Sequence, residues 1–294
     1  MRFFVTGASG FVGSAVVTEL LGAGHEVTGL VRSDRGTDTV RALGAEPVRG
    51  TIEETAVLRA ASAAADGVIH LAFNHDFSRF AESARVEVAA IDAMGEALAG
   101  SGRPLVIASG LLGLVGGRDA LETDPMPPSP RSAGFAAALA LAERGVRSSV
   151  VRLAPSVHDD VPAGFVGRLA AIARDTGRSG YVGDGAQRWP AVHRRDAARL
   201  FRLAAEKGAA GSVFHAAGEA VAVADIAGAV GRLVGVPVDA VGLGEAEERF
   251  GFLAPLLALD TTASTERTRA ALGWAPGGAG LVDDIARWDP AAVS

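Results

Sequence analysis

The chain opens on a strand, a glycine turn and a helix, and few folds accept that order at that spacing. Phe3 to Val5 is a short apolar run that reads as a buried strand, glycines follow at 7, 10 and 13, and Ser14 to Leu21 carries apolar residues at helical spacing. Each glycine has a task. Gly7 turns the chain sharply out of the strand. Gly10 removes a side chain where a diphosphate approaches the backbone. Gly13 lets the helix pack close. The free N–H groups and positive end of the helix then face an anion. The pattern predicts an α/β fold, a doubly wound parallel (Rossmann) sheet. Gly7, Ser9, Gly10, Phe11, Val12 and Gly13 are its dinucleotide turn.

Composition removes several other classes. A chain of 294 residues that is 49% hydrophobic has length for a substantial core, and a net charge of −6 argues against nucleic acid as a partner. Glycine or charge interrupts every apolar run before membrane-spanning length. The first strand starts within two residues, which leaves no room for a signal peptide, so a cytoplasmic protein is expected. The absence of cysteine excludes disulfides and thiol chemistry. No His-x-x-x-His or Glu-x-x-His spacing occurs, so no metal site is expected.

The glycine spacing, with Thr6 before it, closely resembles the fingerprint of the short-chain dehydrogenase/reductase superfamily. The likeness is greatest to its extended and atypical, epimerase/dehydratase-like branches. Further landmarks follow in the family's order. Strand 26–31 ends at Arg32-Ser33-Asp34-Arg35, where the family meets the adenosine ribose. Arg32, Ser33 and Arg35 suit the 2′-phosphate of NADP better than an acidic residue would, so NADPH is expected over NAD. Thr51 and Ile52 stand where the family contacts adenine. Asp66 to Phe73 resembles its "D-x-V-I-H-L-A" stretch, which implies that Leu71, Ala72 and Phe73 pass along the cofactor. Ser109, at the end of strand 104–110, matches the serine that hydrogen-bonds the substrate carbonyl and borders the cofactor. Pro155 and Val157 match the loop beside the nicotinamide. Arg188 to Ala198 and Leu272-Gly273-Trp274 match later landmarks.

The resemblance implies a Rossmann domain over 1–160, completed by 188–217, and a smaller substrate-facing part within 161–294. It implies a small-molecule substrate and, from the superfamily's habit, a homodimer. The superfamily's usual catalytic pair is absent. The single tyrosine, Tyr181, has Gly185 four residues later, and the single lysine, Lys207, has Leu203 four residues earlier. The helix expected to carry Tyr-x-x-x-Lys reads Arg131-Ser132-Ala133-Gly134-Phe135. Catalysis is therefore expected from Ser109 with a histidine, His75 or His193, as proton donor. Asp76, Arg131, His158 and Trp189 are expected on the substrate side, with Arg131 holding an anion or developing charge. The expected activity is NADP-dependent reduction of a small, largely apolar carbonyl compound. The alternatives are an NADP-binding redox sensor without turnover, and an epimerase or isomerase.

Overall fold

The structure, a computed structural model, describes residues 1–74 and 79–293. Its strands, in chain order, are β1 (Arg2–Thr6), β2 (Glu26–Val31), β3 (Glu46–Arg49), β4 (Gly67–His70), β5 (Pro104–Gly110), β6 (Asp119–Ala120) and β7 (Arg147–Leu153). They continue as β8 (Ser156–His158), β9 (Ser179–Val182), β10 (Arg188–His193), β11 (Ser212–Ala216), β12 (Glu219–Ala222), β13 (Val238–Val241) and β14 (Thr262–Ala263). The helices used below are α1 (Phe11–Gly22), α2 (Asp34–Ala42), α3 (Thr55–Ala63), α4 (Phe80–Leu98), α5 (Ser132–Ala140), α6 (Gly164–Thr176), α7 (Arg194–Lys207) and α8 (Val223–Val234).

Seven strands form one parallel sheet in the order β11-β7-β5-β4-β1-β2-β3. Both faces are covered, which is why the strands read as unbroken apolar runs instead of alternating. Successive residues still go to opposite faces. Phe3, Val5, Ile69, Val106 and Val151 pack with α1 and α7. Phe4, Val68, Leu105, Ile107 and Val150 pack with α3, α4 and α5. The strand order reverses between β1 and β4, and open sheets of this kind place ligands at that crevice.

A second apolar cluster gathers Trp189, α6, α8, β9, β13 and the C-terminal segment. It joins the first through β10, which pairs with β8 and β12. The 111–130 segment is strapped down. β6 pairs with β14, the Gly113 amide donates to Thr261 Oγ1 at 3.1 Å, and Arg152 donates to the Asp124 carbonyl at 2.7 Å. Among the described residues no helix is long and apolar enough to cross a membrane.

Candidate active site

A cleft of about 890 Å³ opens at the carboxyl ends of β1, β4, β5 and β7. Its floor is the glycine turn. Gly7 sits at φ +71°, and a Cβ there would lie 2.9 Å from the Ala72 amide nitrogen. A Cβ on Gly13 would lie 1.9 Å from the Gly7 carbonyl oxygen, so only glycine lets α1 start this close to the turn. No side chain caps α1. The amides of its first turn therefore have no partner within the helix, and Phe11, Val12 and Gly13, which carry them, line the cleft. A glycine cradle with unpaired amides fits a diphosphate.

Most of the residues expected at a cofactor line this cleft: Gly7, Ser9, Gly10, Phe11, Val12, Gly13, Arg32, Thr51, Ile52, Leu71, Ala72, Phe73, Ser109, Pro155 and Val157. Ser33 and Arg35 do not. The sequence suggests a helix starting at Thr39, whereas α2 begins at Asp34, with the Ser33 hydroxyl accepting from the Gly36 amide as its cap. Arg35 is thereby carried onto the exposed surface of α2. Asp34 turns away to Arg49, at 2.7 Å. Arg32 lines the cleft and makes no ion pair or side-chain hydrogen bond among the described residues.

The β4 exit is set by a buried relay. The Leu71 and Ala72 amides both donate to Thr6 Oγ1, at 3.1 Å each. The Thr6 hydroxyl proton is then directed to His70 Nδ1, 2.7 Å away. His70 is neutral: burial, and then the charge of Arg131, lowers its pKa to about 3. It belongs to the framework, as its place inside a strand suggests.

Arg131 stands just before the first residue of α5 and lines the cleft. Its Nε and Nη2 donate to the two carboxylate oxygens of Glu87, at 3.2 and 2.5 Å, and Nη2 also donates to the Ala108 carbonyl at 3.2 Å. Glu87 is 2% exposed on α4. The guanidinium stacks over the Phe73 ring, 4.2 Å from its centroid. Nη1 has no partner among the described residues. Ser109 follows Ala108 directly and also lines the cleft. A hydroxyl and a guanidinium held by Glu87 and the Ala108 carbonyl thus line the same cleft. Sequence reasoning proposed Arg131 but missed Glu87, which lies 44 residues away and looks like one more charge on a helix.

The remaining candidates fall elsewhere. His75 and Asp76 lie outside the described residues. Trp189, expected near the substrate, is fully buried in the second cluster, with Nε1 donating to the Leu256 carbonyl at 3.3 Å. His158 and His193 do not line the cleft either. Val157 faces it, so strand alternation turns His158 the other way, onto Asp284 at 2.7 Å. Burial holds the His158 pKa below the usual histidine value despite that carboxylate. His193 caps α7, its Nδ1 accepting from the Arg195 amide, and its Nε2 is 3.5 Å from Asp159. Both histidines are spent on holding β8, β10 and the C-terminal segment together. Among the described residues, no group of three His, Asp or Glu side chains could hold a metal ion.

Fold and cleft together define a dinucleotide-binding protein with its ligand site at the switch point of a doubly wound sheet. The chain belongs to the NAD-dependent epimerase/dehydratase family, whose model matches residues 3–149. It is 45% identical over 291 residues to the uncharacterized protein C2A9.02 of Schizosaccharomyces pombe, covering 97% of this chain and 98% of that one. It is 31% identical over 226 residues to 4-hydroxy-2-methyl-3-oxo-4-farnesyl-3,4-dihydroquinoline-1-oxide ketoreductase of Stigmatella aurantiaca, covering 73% of this chain and 67% of that one. A similar solved fold is the UDP-glucose 4-epimerase of Thermotoga maritima, crystallised with UDP-glucose. Its TM-score is 0.79 at 21% identity, covering 99% of this chain and 98% of that one.

Proposed function

We propose that the protein is an NADP(H)-dependent reductase of carbonyl compounds with apolar character. The observation that carries this reading is the convergence of Ser109 and the Glu87-held Arg131 on the cleft that the glycine turn floors. The amides of the first turn of α1 would hold the diphosphate, and Arg32 the 2′-phosphate. Bound there, the dinucleotide would supply the hydride. Ser109 donates a hydrogen bond to the substrate oxygen and Arg131 Nη1 donates a second, charge-assisted one. Both are fixed in place before negative charge develops on that oxygen, which is what makes such donors effective. Neither gives up a proton. The oxygen takes its proton from water at the mouth of the cleft. The ketoreductase relative supports the reaction class, since its name specifies reduction of a ketone.

The test follows NADPH loss by absorbance across a panel of aromatic and aliphatic aldehydes and ketones, with fluorescence titration of NADPH and NADH alongside. Turnover of at least one carbonyl class is expected. Arg32→Ala should weaken NADPH by roughly one to two decades, from a charge-assisted contact of about 1.5–3 kcal/mol, and leave NADH nearly unchanged. Tight NADPH binding with no turnover anywhere on the panel would favour the redox-sensor alternative. Equal losses for both cofactors would make Arg32 structural.

A further inference from the structure

Among the described residues, the charges lining the cleft do not balance. The charged ones are Arg32, Glu53, Arg131 and Arg168. Arg32 and Glu53 belong to the segments after β2 and β3, where the adenosine would lie. Arg131 is neutralised by Glu87. Arg168 remains, and it makes no ion pair or hydrogen bond among the described residues. It lies on α6, three residues from Phe165 and four from Gly164, so the three share one helix face, and all three line the cleft. Phe165 packs against Phe252 with ring centroids 6.3 Å apart, and Leu111 and Leu112 complete an apolar wall. A lone cation beside an aromatic wall calls for a ligand with an apolar body and an anionic end.

Resting on the reductase reading, we infer that the carbonyl substrate also carries a carboxylate, which pairs with the Arg168 guanidinium while Phe165 and Phe252 cover its apolar body. A guanidinium presents two parallel N–H donors that match a carboxylate, and binding supplies a counter-charge that the described residues do not. Arg168 is exposed at the mouth of the cleft, so water screens the pair and its effect belongs at the lower end of such contacts.

The test measures binding, so it does not depend on turnover. The NADP⁺-loaded protein is titrated calorimetrically with 4-formylbenzoate and with its methyl ester. The acid should bind about tenfold more tightly than the ester in the wild type. That ratio should collapse toward one in Arg168→Gln and be partly kept in Arg168→Lys, with NADP⁺ affinity retained in both. Equal affinities in the wild type, including no detectable binding of either compound, would overturn the inference. So would a ratio that survives in Arg168→Gln. A fall in NADP⁺ affinity in that variant would assign Arg168 to the cofactor instead, and tight, Arg168-dependent binding of UDP-glucose would assign it to a nucleotide diphosphate. A carboxylate preference without NADPH oxidation of either compound would keep the anion site and remove the reductase reading.

Discussion

The two ends of the cleft are built from different materials. At the glycine turn the cleft presents backbone: peptide amides at the start of α1, with no side-chain cap on them. At the exits of β4 and β5 the cleft presents side chains, Ser109 and an arginine clamped by a buried glutamate. A backbone grip has nothing to exchange, because its amides are held by the fold and only a Cβ can spoil it. A side-chain grip can be rebuilt. On the proposed reading, a charge pair from two helices does the work of the absent tyrosine and lysine, while the turn beneath it stays the same.

The backbone half should break hardest. Gly13→Val places a Cβ 1.9 Å from the Gly7 carbonyl oxygen. NADPH affinity should fall by about two decades or more, equivalent to about 3 kcal/mol. Overpacking at the turn should cost about 1–3 kcal/mol of stability. Fluorescence titration and urea denaturation measure the two losses. A variant that binds NADPH normally would show that the turn does not hold the cofactor.

The framework behind the cleft should respond to acid. His70 and His215 are buried and neutral, with pKa values lowered by burial to about 3 and about 4. The unfolded chain binds these protons near pH 6.5, so between about pH 4 and 6.5 it holds more protons than the folded one. Stability should therefore fall as pH falls through that window, on the order of 1.4 kcal/mol per unit for each histidine. Denaturation curves at pH 7, 6 and 5 check this, and a flat profile would mean that the two rings are charged in the fold. The smallest effect belongs to a residue whose chemistry suggests the opposite. His193→Asn keeps a side-chain acceptor for the cap of α7 and should change turnover by less than about twofold. A loss of two decades would return His193 to the reaction.

The same contrast governs what could be read from the chain. The central sheet and the glycine turn were legible because their signals are local. A strand, three glycines and a helix lie within 21 residues, and apolar runs mark each parallel strand. Most of the cleft lining followed from motif order. Arg35 was misplaced because one cap, Ser33, starts α2 five residues before its apolar pattern does. The side-chain half was only partly legible. Arg131 stood out as the residue in the tyrosine's helix, but Glu87, 44 positions earlier, carries no local mark of being buried. The histidines misled for the same reason. His158 finds Asp284 across 126 positions, and that contact, together with strand alternation, turns it from a substrate-side candidate into a structural one. Arg168 drew no attention because an arginine on a helix is ordinary until its neighbours are known.

The claim that a charge pair holds the substrate oxygen is tested most directly by removing the pair whole. Arg131→Ala alone strands a buried Glu87 and should cost about 3–5 kcal/mol of stability, which would confuse any rate measurement. The double variant Glu87→Met, Arg131→Met replaces both charges with apolar side chains of similar length and should recover most of that stability. NADPH titration would confirm that the glycine turn is intact. Carbonyl turnover by the double variant should then be lower by about two to three decades, the usual cost of losing one fixed donor to a developing oxyanion. Turnover within a few-fold of the wild type would contradict the account.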